Sequence, residues 1–197
     1  MLRILIPFAP FDGQTARIAE RLAAALARAG HAVTPMRADA PELSWALEEY
    51  DAVIVGGGIR YGRHPRFLEA AVRDHLGAIA ARPNAFFSVS LSAGGPGAHP
   101  RVAARYVEEF IERTGWQPRR TASFAGALRY TKYNAFIRFM MRLIVGASGG
   151  DTDTSRDYEY TDWQAVERFA AEFAPPARAP KAPQSNRFDF DPCQQDP

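Results

Sequence analysis

The chain has 197 residues, 47% of them hydrophobic and 23% charged, which suits one globular domain with a full core and excludes disordered and fibrous classes. A formal net charge of +2 is too small to argue for a nucleic-acid partner, and with Cys193 as its one cysteine the chain can form neither an intramolecular disulfide nor a cysteine-based metal site or redox pair. No apolar run approaches the roughly 20 residues of a membrane-spanning helix, and no small-residue cleavage site follows the N-terminal apolar run, so a cytoplasmic location is expected.

Leu2 to Phe8 is almost continuously apolar, the pattern of a parallel strand covered on both faces. A helix follows, with Ile18, Leu22 and Leu26 at helical spacing, Arg17, Glu20, Arg21 and Arg28 elsewhere, and Gly30 as the stop. His31 to Met36 predicts a second strand. A loop with Pro41 and Trp45 leads to a third, Ala52 to Val55, which runs into the glycines of "GGGIRYG". Pro65 to Ala81 predicts one helix with Phe67, Leu68, Ala71, Val72 and Leu76 inward. "NAFFSVSLSAGGPG" is a fourth strand ending in a small-residue loop, and Val102 to Arg113 a helix turning Tyr106, Phe110 and Ile111 inward. Thr121 to Leu128 predicts the fifth strand. The last helix, Thr161 to Phe173, begins at a Thr-Asp cap and carries Trp163, Val166 and Phe169.

Strands alternating with helices predict an α/β fold built on a parallel sheet with right-handed crossovers. The domain is expected to span 1–174. Residues 129–160 form an insertion after the fifth strand, and residues 175–197 a Pro-rich tail without periodicity, expected to be disordered.

Ligands of open parallel sheets bind at the carboxyl ends of the strands, where three loops stand: Ala9 to Thr15, Gly56 to Gly62 and Ser90 to Gly97. The first places Gly13, Gln14 and Thr15 at a helix start, where unpaired N–H groups and the dipole favour a phosphate; equally, Asp12 is an ordinary N-cap. In the second, Gly56, Gly58 and Gly62 permit close approach of a flat ring and Tyr61 offers a stacking face, while Arg60 is otherwise a solvated cation. The third offers amides and the hydroxyls of Ser90 and Ser92 to a heterocycle edge, or is a plain connector. Together they describe a mononucleotide site. His31, His64, His75 and His99 lack metal-ligand spacing, and no nucleophile triad is present.

The segments "DGQT" (12–15), "IRYG" (59–62), "AGALRY" (125–130), "RFM" (138–140), "SGG" and "TDT" around 148–154, and "YTDW" (160–163) extend in order across residues 1 to about 174. On these the chain resembles the flavodoxin-fold flavoproteins, and among them the menaquinone-dependent protoporphyrinogen IX dehydrogenases of bacterial haem synthesis. The resemblance implies a flavodoxin-like three-layer sandwich, a five-stranded parallel sheet with helices on both faces and a helical insertion after the fifth strand. It implies non-covalent FMN, its phosphate held by Asp12, Gly13, Gln14 and Thr15. The isoalloxazine would be contacted by Gly58, Ile59, Arg60, Tyr61 and Gly62 and by Ser90, Leu91, Ser92, Ala93 and Gly94. It further implies oxidation of protoporphyrinogen IX with electrons passed to a quinone, menaquinone or ubiquinone, no catalytic side chain, and Arg60, Arg63, Arg129 and Lys132 as partners for the propionates.

One departure stands out. The family carries hydroxyl residues in the phosphate loop where this chain has Ala9, Pro10 and Phe11, and each missing charge-assisted hydrogen bond costs about 1.5–3 kcal/mol. A flavodoxin-type electron carrier or quinone reductase, and a flavodoxin-fold protein that has lost FMN, are the alternatives.

In the insertion, Asn134, Arg138 and Arg142 form a narrow polar stripe, while Phe136, Ile137, Phe139, Met140, Met141, Leu143, Ile144 and Val145 cover the rest. Burial against the sheet is the expected outcome for such a helix. The other is peripheral contact with the inner face of the cell membrane through residues 133–147. The sequence is also compatible with a homo-oligomer.

Overall fold

Five parallel strands in the order β2-β1-β3-β4-β5 form the centre of the protein: β1 Arg3–Ala9, β2 Ala32–Arg37, β3 Ala52–Gly58, β4 Asn84–Ser90 and β5 Thr121–Ala125. The computed structural model describes residues 1–10, 13–39 and 45–174; the Pro-rich tail and Pro41 lie outside them. Because successive side chains of a strand point to opposite faces, each central strand feeds two cores. Ile4, Ile6 and Phe8 of β1, Ile54 of β3 and Phe87 of β4 meet Ile18, Leu22 and Leu26 of α1 (Gln14–Arg28) and Val166 and Phe169 of α6 (Trp163–Phe173). On the other face, Leu5, Val53, Val55 and Phe86 meet Leu68 and Val72 of α2 (Arg66–Asp74), Ile79 of α3 (Leu76–Ala80), and Val107 and Phe110 of α4 (Pro100–Thr114). These layers are the three-layer sandwich the sequence predicts.

Several boundaries differ, each for a physical reason. The glycines after Val55 belong to the strand: a Cβ on Gly56 would stand 2.1 Å from the Phe87 ring, and one on Gly57 2.7 Å from the His64 ring, so both glycines serve close packing of the sheet. The helix expected over 65–81 breaks at His75, whose φ is −107° and whose ring stacks on buried Trp45. Phe67 turns outward, 42% exposed. Tyr106 and Ile111 are half-buried, and Val107 takes the inward position beside Phe110.

The fifth strand stops at Ala125. After Gly126 the chain forms β6 (Ala127–Leu128), which pairs antiparallel with β7 (Tyr158–Glu159), and this ribbon closes the insertion. Between its strands lies α5 (Ala135–Ala147), capped by Asn134, whose side-chain oxygen accepts from the Ile137 N–H. Contrary to the expected burial, α5 stands with Phe136 (73%), Phe139, Met140, Leu143 and Ile144 exposed, and Val145 is its one buried residue. The sheet has no room for it: both faces are already filled by α1 and α6, and by α2, α3 and α4.

Candidate functional site

At the carboxyl ends of β1, β3 and β4, beside the point where strand order reverses between β1 and β3, a cleft of about 250 Å³ opens. Its walls are the start of α1 (Gln14, Thr15), the end of β3 and the next turn (Gly58, Ile59, Arg60, Tyr61), the end of β4 (Val89, Ser90, Leu91), the link into β6 (Gly126, Ala127), and Tyr133, Ile137 and Met141 of the insertion.

The α1 start is built to receive an anion. Gly13 takes φ +77° as the N-cap, a left-handed conformation suited to glycine, and the first bond of the helix runs from the Arg17 N–H to the Gly13 carbonyl. The N–H groups of Gln14, Thr15 and Ala16 precede that bond and have no helix carbonyl to reach. Thr15 is 1% exposed and lines the cleft, yet its Oγ1 has no hydrogen-bond partner among the described residues. A buried hydroxyl left unpaired is costly, and a phosphate oxygen at the helix start would satisfy it. The chemistry of this corner fits the phosphate of a mononucleotide. Ala9 is buried and Pro10 carries no N–H, so among the described residues the donors of this corner are the Thr15 hydroxyl and the α1 amides. Asp12 falls outside the described residues.

The Gln14 side chain has a part that the sequence reading does not assign. Its Nε2 donates to Thr161 Oγ1 at 2.8 Å, and its Oε1 accepts from both Arg17 and Arg129 at 3.1 Å. Thr161 in turn donates to the Ala125 carbonyl at 2.7 Å. This network ties the α1 start to the end of β5 and the entrance of α6, which leaves Gln14 its backbone N–H for a ligand.

The turn after β3 is held by a reciprocal pair of backbone bonds, Arg60 N–H to the Arg63 carbonyl at 2.9 Å and Arg63 N–H to the Arg60 carbonyl at 3.2 Å. Tyr61 and Gly62 occupy its centre with φ +48° and +76°, the double left-handed geometry of a two-residue hairpin turn. A tyrosine there is strained. The turn thrusts its ring outward, 88% exposed, with the Arg60 guanidinium 5.1 Å from the ring centre. Gly62 therefore shapes the turn and does not line the cleft.

Of the third loop, Ser90 and Leu91 border the cleft. Ser92 and Gly94 instead line a smaller cavity of about 110 Å³ toward α5 and Tyr160, and Ala93 borders neither. A Cβ on Gly95 would meet the Tyr160 ring at 2.8 Å, so that loop is closed from outside by the insertion. The Tyr160 hydroxyl donates to Asp151 at 2.5 Å, and burial together with that bond raises its pKa well above the usual tyrosine value.

Among the cations expected to meet substrate, Arg60 and Arg63 share an open groove on the far side of the Tyr61 turn. Arg129 is bound to Gln14 and lies 4.0 Å from Asp157; Lys132 is exposed in the turn before α5. The two pairs do not converge. Beneath the groove, buried His64 shares a hydrogen bond with Ser88 at 3.0 Å, and burial, with a smaller push from Arg113, drives its pKa down to about 3. It is neutral at physiological pH.

Sequence reasoning missed Val89, Gly126, Ala127, Tyr133, Ile137 and Met141. The last two are spaced i, i+4 and so share one face of α5, the one signal that could have paired them.

A parallel sheet in this order, with an uncapped helix start and an apolar cleft at the switch point, defines a doubly wound α/β protein with the fold of the flavodoxins. A flavodoxin domain model matches residues 5–155. The chain is 39% identical over 176 residues to protoporphyrinogen IX dehydrogenase [quinone] of Escherichia coli (strain K12), covering 88% of this chain and 95% of the relative. It is 34% identical over 192 residues to the protein of the same name from Leishmania major, covering 95% and 81%. Among solved structures, oxidised flavodoxin 2 from Bacillus cereus matches 87% of this chain and 97% of its own at 20% identity, with a TM-score of 0.50. The chain belongs to the flavodoxin domain family, in the group of the protoporphyrinogen IX dehydrogenases.

Proposed function

We propose that this protein is an FMN-dependent oxidoreductase that converts protoporphyrinogen IX to protoporphyrin IX in haem biosynthesis and delivers the electrons to a quinone, menaquinone or ubiquinone. The observation that carries the reading is the cleft at the α1 start, where an unpaired buried Thr15 hydroxyl stands beside the free first-turn amides. Identity of 39% across nearly the whole length of a relative bearing that activity in its name supports the substrate and the acceptor.

Thr15 and the amides of Gln14 and Ala16 would hold the phosphate, with Gly13 giving the chain its approach. Gly58, Ile59, Arg60 and Tyr61 on one strand end, and Ser90 and Leu91 on the next, would border the ring. Bound FMN would supply the hydride acceptance and electron transfer that no side chain here can. The described cleft holds no carboxylate, histidine or lysine side chain, so the protein's contribution is binding, orientation and exclusion of water. Ile137 and Met141 of α5 roof the cleft with apolar surface and keep bulk water from the reacting edge.

The same helix turns Phe136, Phe139, Leu143 and Ile144 outward, with Arg142 also exposed. That face supports peripheral contact with a membrane, where a lipid-soluble quinone is met; no helix among the described residues is long and apolar enough to cross one.

The test is porphyrin fluorescence. Flavin-loaded protein given protoporphyrinogen IX and a menaquinone analogue without oxygen should generate fluorescent porphyrin, and flavin-stripped protein should not. No gain over the enzyme-free control would overturn the assignment.

A further inference from the structure

The cleft is not the only concave surface the Tyr61 turn borders. On its other side lies a groove of about 260 Å³ lined by Pro10, Arg60, Arg63, Arg66 and Phe67 with the Tyr61 ring at its edge. Arg60 and Tyr61 belong to both surfaces, so one ligand larger than the cleft would run across the turn from one to the other.

The groove's chemistry is cationic on an apolar floor. Arg66 opens α2, and because the N-cap is Pro65, no side chain closes that helix start. The first two amides of α2 therefore add to the field of the three guanidiniums. Arg63 is held in place by Glu69, which accepts from its Nη2 through both carboxylate oxygens at 3.0 and 3.2 Å. Glu69 is buried and also lies 3.6 Å from Arg113. Because Arg113 also has Glu109 at 3.0 Å, Glu69 balances Arg63, whose side chain is still 34% exposed, and the groove's net positive charge comes from Arg60 and Arg66. Phe67 and Tyr61, both exposed, supply flat apolar surface next to these charges. Exposed aromatic surface beside clustered arginine, in a concave site, suits a large apolar ring system with carboxylates along one edge.

We propose that this groove is the carboxylate subsite for the tetrapyrrole: Arg60, Arg63 and Arg66, with the α2 start, take the two propionates while the macrocycle lies across the Tyr61 turn toward the cleft. The inference rests on the assigned oxidation of a porphyrinogen and divides the four expected cations, since Arg60 and Arg63 line the groove whereas Arg129, which donates to Gln14, and Lys132 do not. It adds Arg66, which no sequence motif marks. The strained Tyr61 backbone is the hinge between the flavin and carboxylate surfaces.

The experiment is a binding titration followed by porphyrin fluorescence in detergent solution, using protoporphyrin IX and its dimethyl ester as probes and flavin-loaded wild-type protein, Arg66→Gln and the double variant Arg60→Gln/Arg66→Gln. Flavin affinity of each variant is measured in parallel. The diacid should bind wild type at least tenfold more tightly than the diester. Arg66→Gln should lose about tenfold for the diacid and the double variant more, with the diester unchanged and flavin retained by Arg66→Gln. Equal binding of diacid and diester, or a diacid affinity indifferent to both variants, would overturn the carboxylate subsite while leaving the oxidation intact. Failure of wild type to bind either porphyrin would overturn the subsite, whereas the oxidation itself is overturned only if flavin-loaded wild type generates no porphyrin fluorescence from protoporphyrinogen IX. Because Arg66 is exposed at a helix start, its substitution tests the ligand without removing a buried contact.

Discussion

The sheet and the insertion use the same residue types to opposite ends. Phe86 and Phe87 of β4 are wholly buried between helices, whereas Phe136 and Phe139 of α5 stand in solvent. An apolar side chain is buried only if a partner surface is left for it, and the sandwich fills both faces of its sheet without the insertion. The core fixes the site's position; the insertion leaves apolar surface spare for other molecules. If that division is right, substitutions in the two regions should fail in different currencies, stability in one and association in the other.

The largest effect belongs to the core. Phe86 stacks on Phe110 with ring centres 4.2 Å apart and meets the Trp116 edge. Phe86→Ala should cost about 3–5 kcal/mol in denaturant unfolding. Next comes His64, whose pKa falls from 6.5 unfolded to about 3 folded. The unfolded chain binds a proton that the native state refuses, so stability is full above pH 6.5 and declines as pH drops from there toward 3. The slope approaches about 1.4 kcal/mol per pH unit. Unfolding curves at stepped pH should show it, and His64→Gln should flatten it.

Thr15 sharpens the comparison at the boundary between core and site. Thr15→Val removes an unpaired buried hydroxyl, so the flavin-free protein should be unchanged or more stable by up to about 1 kcal/mol. FMN affinity should fall by about 1.5–3 kcal/mol, roughly tenfold to a hundredfold. Fluorescence titration separates the two. The smallest stability effect belongs to α5: Phe139→Ser should change unfolding by less than about 0.5 kcal/mol while reducing co-sedimentation with anionic lipid vesicles. A loss of several kcal/mol there would mean that the exposed face is covered in the folded protein.

Much of the sandwich was legible because a two-sided parallel strand writes itself as a continuous apolar run: Leu2 to Phe8 and "NAFFSVS" both became central strands. What misled was local. Gly56 and Gly57 read as loop, although their missing side chains make room for Phe87 on the neighbouring strand and for the His64 ring packed on the sheet, a requirement set by tertiary packing. His75 carries no helix-breaking chemistry of its own, and its stacking on Trp45 is tertiary. At the site, Gly58 to Tyr61 and the α1 start were visible as motifs. The Gln14 side chain was not, because its partners Thr161 and Arg129 lie more than a hundred residues away. Arg66 was silent for the same reason: its importance lies in the groove it faces.

The central claim is that the α1 start receives the phosphate of FMN despite Ala9 and Pro10. The most direct measurement is a visible spectrum of the protein after incubation with FMN or riboflavin and removal of free flavin by gel filtration, with affinities for both from flavin fluorescence. The account predicts stoichiometric FMN retained through filtration and riboflavin bound at least about tenfold more weakly, the difference being the phosphate's contribution. A protein that emerges colourless, or that binds riboflavin as tightly as FMN, would contradict it.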